Sequence, residues 1–309
     1  PLPAPYLRQF TVTNIVGFVV ENRTNDTATT ATSLSVTPVS TPDGSFQVGA
    51  SYGAGSNPYF VLAGRFNGDA IPDLAVANYS SDNVSVFLGN GDATFGGRTN
   101  FATGNGPIAL AAGDVNGDSV ADLLVANHGS PNLSVLVGNG NGTFRSPTNY
   151  STGNNPRSVA LGDLNGDGRL DWVTANEGGG NMTVRLGNGD GSFGSATNFA
   201  TGAGAHGVAV GHLNGDGYLD VVVANANANT VSVLLGNGDG TFAAATNYAG
   251  FSTPRSVALG DFNGDSALDV AVLNEGNNTV SLLAGNGDGT LQAAVNYAAG
   301  SSDPYHIIA

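Results

Sequence analysis

A nine-residue acidic segment, DLNGDGRLD from Asp163, returns at a fixed interval through the chain. Its relatives are RFNGDAIPD from Arg65, DVNGDSVAD from Asp114, HLNGDGYLD from His212 and DFNGDSALD from Asp261, each 49 residues after the last. Random acidic turns would not hold that register. Self-similarity with a period in the forties is the mark of a repeat architecture, and it suits the blades of a propeller. Each copy must therefore be one supersecondary unit that buries its faces on its neighbours.

Each unit reads as four short strands. In the third, strand A is PRSVALGD from Pro156, and the acidic loop follows it. Strand B is LDWVTAN from Leu170, strand C is MTVRLGN from Met182, and strand D is SATNFATG from Ser195. The C–D connection, GNGDGSF from Gly187, carries the Asn-Gly and Asp-Gly steps that supply positive φ angles in tight hairpins. The expected fold is all-β, a propeller of four-stranded antiparallel blades. Repeats start near residues 58, 107, 156, 205 and 254, with a partial one at 304.

Composition agrees. Lys is absent, and Glu occurs only at Glu21, Glu177 and Glu275, so the usual builders of exposed helix faces are missing. A net charge of −15 argues against nucleic acid, whose phosphates are bound by Lys and Arg. Zero Cys excludes disulfides and thiolate chemistry. No segment approaches the roughly 18 continuous apolar residues of a membrane span.

The repeat resembles the FG-GAP/VCBS type found in integrin α-subunit heads and in many bacterial surface proteins and lectins. The similarity covers about residues 43–309. It implies a calcium-loaded β-propeller, most often of seven blades, whose partners dock on the face opposite the calcium loops. His128, Glu177, Glu275, Arg157 and Arg255 are expected near that opposite face, as solvated loop residues or turn anchors.

The repeat's own arithmetic gives six blades. Five A–B loops are complete, and PYHIIA from Pro304 is a strand A with no strand B behind it. TNIVGFVVEN from Thr13 and TATTATSLSVTPVS from Thr27 supply candidates for strands B and C, leading into a strand D near Phe46. The last blade is then shared by the two termini, which removes exposed sheet edges. Residues 1–14 remain as an N-terminal arm and residues 15–309 as the propeller. The arm either packs on its own propeller or adds a strand to a neighbour.

The carboxylates have a placed task. Thirteen of the 21 Asp residues lie in the five loops. In the third, Asp163, Asn165, Asp167 and Asp171 occupy positions 1, 3, 5 and 9, a spacing that can ring a hard cation with oxygen. A solvated turn needs one or two such residues, and several adjacent carboxylates repel unless a cation neutralises them. Ca²⁺ fits an all-protein loop better than Mg²⁺, which keeps its waters. Asp114, Asn116, Asp118 and Asp122 form a second full set, and Asp261, Asn263, Asp265 and Asp269 a third. His212 displaces the first Asp of the set completed by Asn214, Asp216 and Asp220, which predicts a weaker site. Arg65 heads the first loop, where its guanidinium can neutralise Asp69 and Asp73, so that loop is expected to hold no ion.

No catalytic constellation is legible. The four His show no shared spacing, and no GxSxG, HExxH or phosphate-binding loop occurs. The expected function is a non-catalytic extracellular or cell-surface module for adhesion or structural assembly, with head-to-tail filaments if the arm donates a strand. Its partners are then itself, an extracellular protein or a glycan. Nine Asn-x-Ser/Thr sites leave glycosylation open. A carbohydrate-binding lectin, or the propeller portion of a larger secreted enzyme, are the alternatives.

Overall fold

The computed structural model describes residues 19–22, 33–35, 50–300 and 304–308. Three short strands come first: β1 (Val19–Asn22), β2 (Ser33–Ser35) and β3 (Ser51–Gly53). Five four-stranded antiparallel sheets follow. The first contains β4 (Pro58–Gly64), β5 (Asp73–Asn78), β6 (Asn83–Phe87) and β7 (Thr99–Ala102). The second contains β8 (Pro107–Gly113), β9 (Asp122–Asn127), β10 (Asn132–Leu136) and β11 (Thr148–Ser151). The third contains β12 (Pro156–Gly162), β13 (Asp171–Asn176), β14 (Asn181–Arg185) and β15 (Thr197–Ala200). The fourth contains β16 (Ala205–Gly211), β17 (Asp220–Asn225), β18 (Thr230–Leu234) and β19 (Thr246–Ala249). The fifth contains β20 (Pro254–Gly260), β21 (Asp269–Asn274), β22 (Thr279–Leu283) and β23 (Val295–Ala298). The last strand is β24 (Pro304–Ile308). The only helical turn among the described residues is a 3₁₀ segment at Tyr79–Ser81.

The sheets are β-propeller units, and their cores lie between them rather than within them. Val173, Met182 and Val184 of the third sheet pack on Val221, Val223 and Leu234 of the fourth. Phe144, Phe193 and Phe242, which follow the C–D turns, are buried and meet Phe101, Tyr150 and Phe199 of the preceding sheet edge-on at 5.1–5.4 Å. Strand alternation makes this possible, because successive side chains face opposite neighbours and both faces of each inner strand are covered. The buried second strand therefore carries a continuous apolar run, Val221–Ala224 in the fourth sheet, between its buried Asp and Asn.

The expected pairing of the termini is present. β1 runs antiparallel to β24, with Asn22 opposite Pro304 and a register shift before the next pair. Pro254 opposite Asn274 in the fifth sheet carries the same shift, as do the equivalent pairs in the other four. β2 pairs with β3, as strands C and D of one unit should, but among the described residues these two form a sheet separate from that of β1 and β24, so the expected four-stranded sixth blade is present only as two pairs. Ile307 closes a core with Ala271, Leu273 and Val280 of the fifth sheet. On its other side β24 touches the first sheet, with Tyr305 5.5 Å from Tyr59 and His306 5.3 Å from Phe60. The arm at residues 1–14 and the turn near Phe46 lie outside the described residues.

Candidate functional site

The loop end of the strands is built on the last Asp of each acidic segment. Asp171 is fully buried at the start of β13. Its Oδ2 accepts the Leu164 N–H at 2.8 Å and its Oδ1 accepts the Gly187 N–H at 2.7 Å. One carboxylate thus ties the A–B loop to the C–D turn of the same unit. Asp73, Asp122, Asp220 and Asp269 repeat the clamp. Gly187 has to be glycine, since a Cβ there would sit 2.3 Å from the Leu170 carbonyl oxygen. The next unit adds a bond in turn: Gly240 N–H donates to Leu164 O, and Gly289 N–H to Leu213 O.

Position 1 sorts the loops. Asp163 Oδ1 accepts the N–H groups of Gly166 and Asp167, and its Oδ2 that of Gly168, at 2.7–3.1 Å. Asp114 and Asp261 gather the equivalent donors. These bonds, the Ser266 N–H first, hold the Asp261 carboxyl below the usual carboxylate range. His212 instead sets Nδ1 at 2.8 Å from the Tyr218 carbonyl. With Asp163, Gly217 and Tyr218, it lines a cleft of about 270 Å³. Arg65 makes no ion pair with Asp69 or Asp73 among the described residues. The ion pair expected in the first loop is therefore not made: Asp73 is buried with its oxygens on the Phe66 and Gly89 N–H groups, and Asp69 accepts from Asn67 and Ile71.

The donor chemistry of the three full loops fits a hard divalent cation. Positions 1, 3, 5 and 9 offer oxygen, and their charges stand close enough to disturb one another. Burial first, then repulsion from Asp118 and Asp114, push the Asp122 carboxyl up against its two backbone bonds. Asp171 responds the same way, to burial and then to Asp167 and Asp163. Asp220, also raised chiefly by burial, feels Asp216. The side chains of one loop bond to each other rather than converging on a common point. Asn165 Nδ2 donates to Asp167 Oδ2 at 3.2 Å, and no three His, Cys, Asp or Glu side chains among the described residues form a ligand group. Asp69, Asn116, Asn214 and Asn263 lie in the same self-bonded turns.

The opposite end of the strands carries a second cluster. Arg157 Nε donates to Glu177 Oε2 at 2.7 Å, and His128 Nε2 stands 3.1 Å from the same oxygen. Arg157 Nη1 reaches the hydroxyls of Tyr59 and Tyr305 at 2.8 and 3.0 Å. Arg255 Nε donates to Glu275 Oε2 at 2.6 Å, and its Nη1 lies 2.9 Å from His206 Nε2. His206 Nδ1 faces the Arg255 carbonyl at 2.9 Å, so the neutral ring donates from Nδ1 and accepts at Nε2. Burial, then the charges of Arg157 and Arg255, hold His206 far below the usual histidine range. The His128 hydrogen bond, followed by Arg157, holds Glu177 well below the carboxylate range despite its partial burial.

These residues are not the isolated solvated loop groups that a linear reading suggests. His128 and Glu177 are one repeat apart, as are Arg157, His206 and Arg255. The signal was in the 49-residue phase, which places each set at one height around the ring.

Four tandem matches to the FG-GAP-like repeat, at residues 65–125, 114–174, 163–223 and 212–272, cover most of the chain. The chain belongs to the FG-GAP-like repeat family, as a β-propeller. No curated protein matches its sequence. Among solved structures it is similar to an Agrocybe aegerita lectin that recognises non-reducing terminal N-acetylglucosamine, at 22% identity over 80% of this chain and 67% of that one, TM-score 0.54. A 6-phosphogluconolactonase-like protein from Bacteroides uniformis aligns over 94% of this chain and 83% of its own at 14% identity, TM-score 0.70. A catalytically inactive virginiamycin B lyase from Staphylococcus aureus aligns over 94% and 91% at 12% identity, TM-score 0.61. At these identities the likeness is one of fold. No helix among the described residues is long and apolar enough to cross a membrane.

Proposed function

We propose that this protein is a non-catalytic, calcium-stabilised propeller that works outside cells as an adhesion or assembly module. The supporting observation is the charge held at the loop end, where Asp122 and Asp171 are buried beside carboxylates that raise them further. A divalent cation relieves that repulsion. Asp114, Asn116, Asp118 and Asp122 would hold one ion, Asp163, Asn165, Asp167 and Asp171 a second, and Asp261, Asn263, Asp265 and Asp269 a third. His212, Asn214, Asp216 and Asp220 would hold one more weakly. The ion supplies positive charge and fixes the loop, and extracellular modules of this kind bind at about 10⁻⁴–10⁻³ M, the range of calcium outside cells.

A binding role is supported at the other end too. Glu177 is locked in its ionised form and both ring nitrogens of His206 are engaged, so neither is poised to exchange a proton near neutral pH. The lectin's likeness in fold keeps glycans among the candidate partners.

Calorimetric titration with Ca²⁺ and Mg²⁺, paired with thermal melts in chelator, tests the reading. Calcium should bind in the sub-millimolar to millimolar range and raise the melting temperature, with magnesium weaker. Indifference of both binding and melting to calcium would sink it.

A further inference from the structure

At the end of the ring opposite the loops, two positions break the uniformity of the repeat. Every full unit closes its second strand on the same buried Asn, but the next residue is Tyr79, His128, Glu177, Ala226 or Glu275. The second residue of the first strand is likewise Tyr59, Ile108, Arg157, His206, Arg255 or Tyr305. What the fold requires in each unit is met by one residue type, as with the Asp clamp and the buried Asn. Ile108, apolar and buried, shows that the strand pair closes without a charge at this position. The charges at 157, 177, 255 and 275 therefore answer to something other than the repeat.

Their bonding is half used. Arg157 and Glu177 meet side-on through Nε and one carboxylate oxygen, as do Arg255 and Glu275. Among the described residues, the Nη2 groups of both arginines and the Oε1 atoms of both glutamates have no protein partner. The four side chains keep 16–26% of their surface open. Each pair thus leaves a donor and an acceptor side by side, the complement of a hydroxyl group, which accepts and donates at once. Tyrosine rings stand beside them, with Tyr59 5.5 Å from Tyr305 and 6.2 Å from Tyr79. Two Arg and two Glu cancel locally, while the chain's −15 repels anions.

We infer that this end of the ring axis binds a neutral polyhydroxylated ligand, a sugar ring. The Arg157–Glu177 and Arg255–Glu275 edges grip its hydroxyls, and the tyrosine rings face its apolar side. The inference rests on reading the protein as a binding module, but not on its binding calcium.

The test is saturation-transfer NMR and calorimetry on the full chain in calcium buffer, with methyl glycosides of glucose, galactose and mannose, and glucuronate as the charged comparison. At least one neutral glycoside should bind. Arg157→Gln and Glu275→Gln should each weaken it about tenfold or more while the fold, followed by circular dichroism, is kept. Tyr218→Ala, in the cleft at the loop end, should leave affinity unchanged. The inference is overturned if no neutral glycoside binds, if only glucuronate binds, if the folded Arg and Glu variants bind as the parent does, or if Tyr218→Ala abolishes binding. Should Arg157→Gln not fold, Glu275→Gln decides alone. Calcium binding in the same samples reports separately on the function proposed above, and glycoside turnover in the NMR tube would contradict its non-catalytic part without touching the binding site.

Discussion

Arg157 and Tyr59 are 98 residues apart, yet the arginine's Nη1 donates to the tyrosine's hydroxyl at 2.8 Å. The same nitrogen reaches Tyr305 on β24. One side chain of the third sheet therefore holds both strands that meet where the ring closes. Tyr305→Phe removes one of these bonds and should cost about 1 kcal/mol in urea denaturation. Arg157→Met removes both and strips Glu177 of its cation, so about 2 kcal/mol is expected after allowing for partial exposure. Equal effects of the two variants would show that the arginine does not bridge the closure.

His206 makes stability depend on pH. Its folded form stays neutral, whereas the unfolded chain takes up a proton near the ordinary value of 6.5. The unfolded state thus binds more protons below that pH, and stability should fall as pH drops from 7 toward 5, by at most about 1.4 kcal/mol per pH unit. The raised carboxyls of Asp122, Asp171 and Asp220 push the other way in the acid range, losing stability as pH rises through their folded values. The measurement is therefore the difference between the parent and His206→Gln, whose slope above pH 5 should be flatter.

The clamp is the most sensitive point of each unit. Asp171→Asn turns one acceptor into a donor aimed at a backbone N–H, and should cost about 2–3 kcal/mol. Gly187→Ala should destabilise comparably by driving a methyl into the Leu170 carbonyl. Chemical denaturation of both, beside an Asp190→Asn control on the exposed turn, checks the ranking.

His212→Asp should strengthen calcium binding at the fourth loop. The substitution restores the acceptor that collects backbone N–H groups in the three full loops and frees the Tyr218 carbonyl. An added or tightened site in a calorimetric titration is the expected result. An unchanged isotherm would mean that position 1 does not set affinity.

The period carried most of the fold. Strand order within the units and the place of the acidic loops follow from one spacing and from the alternation of apolar residues, whereas β1, whose Asn22 faces Pro304, lies out of phase with the other second strands. Two things escaped it. Asp171 looks in sequence like one of four equal ligands, and only burial reveals it as the hinge between loop and turn. The Arg157–Tyr59–Tyr305 contact joins residues from distant units, and no local pattern encodes which side chains lean across a ring axis. Phase would have pointed to His128 with Glu177 and to His206 with Arg255, since each pair is one repeat apart.

The bond from each turn to the preceding unit's loop, seen at Gly142, Gly191, Gly240 and Gly289, has a mechanical corollary. Linked end to end, these bonds run as a chain along one rim from the first sheet to the fifth. A tug on the second, third or fourth unit is then shared with the units on either side instead of being borne by its own strands, which would help a protein anchored by one face to stay folded under load.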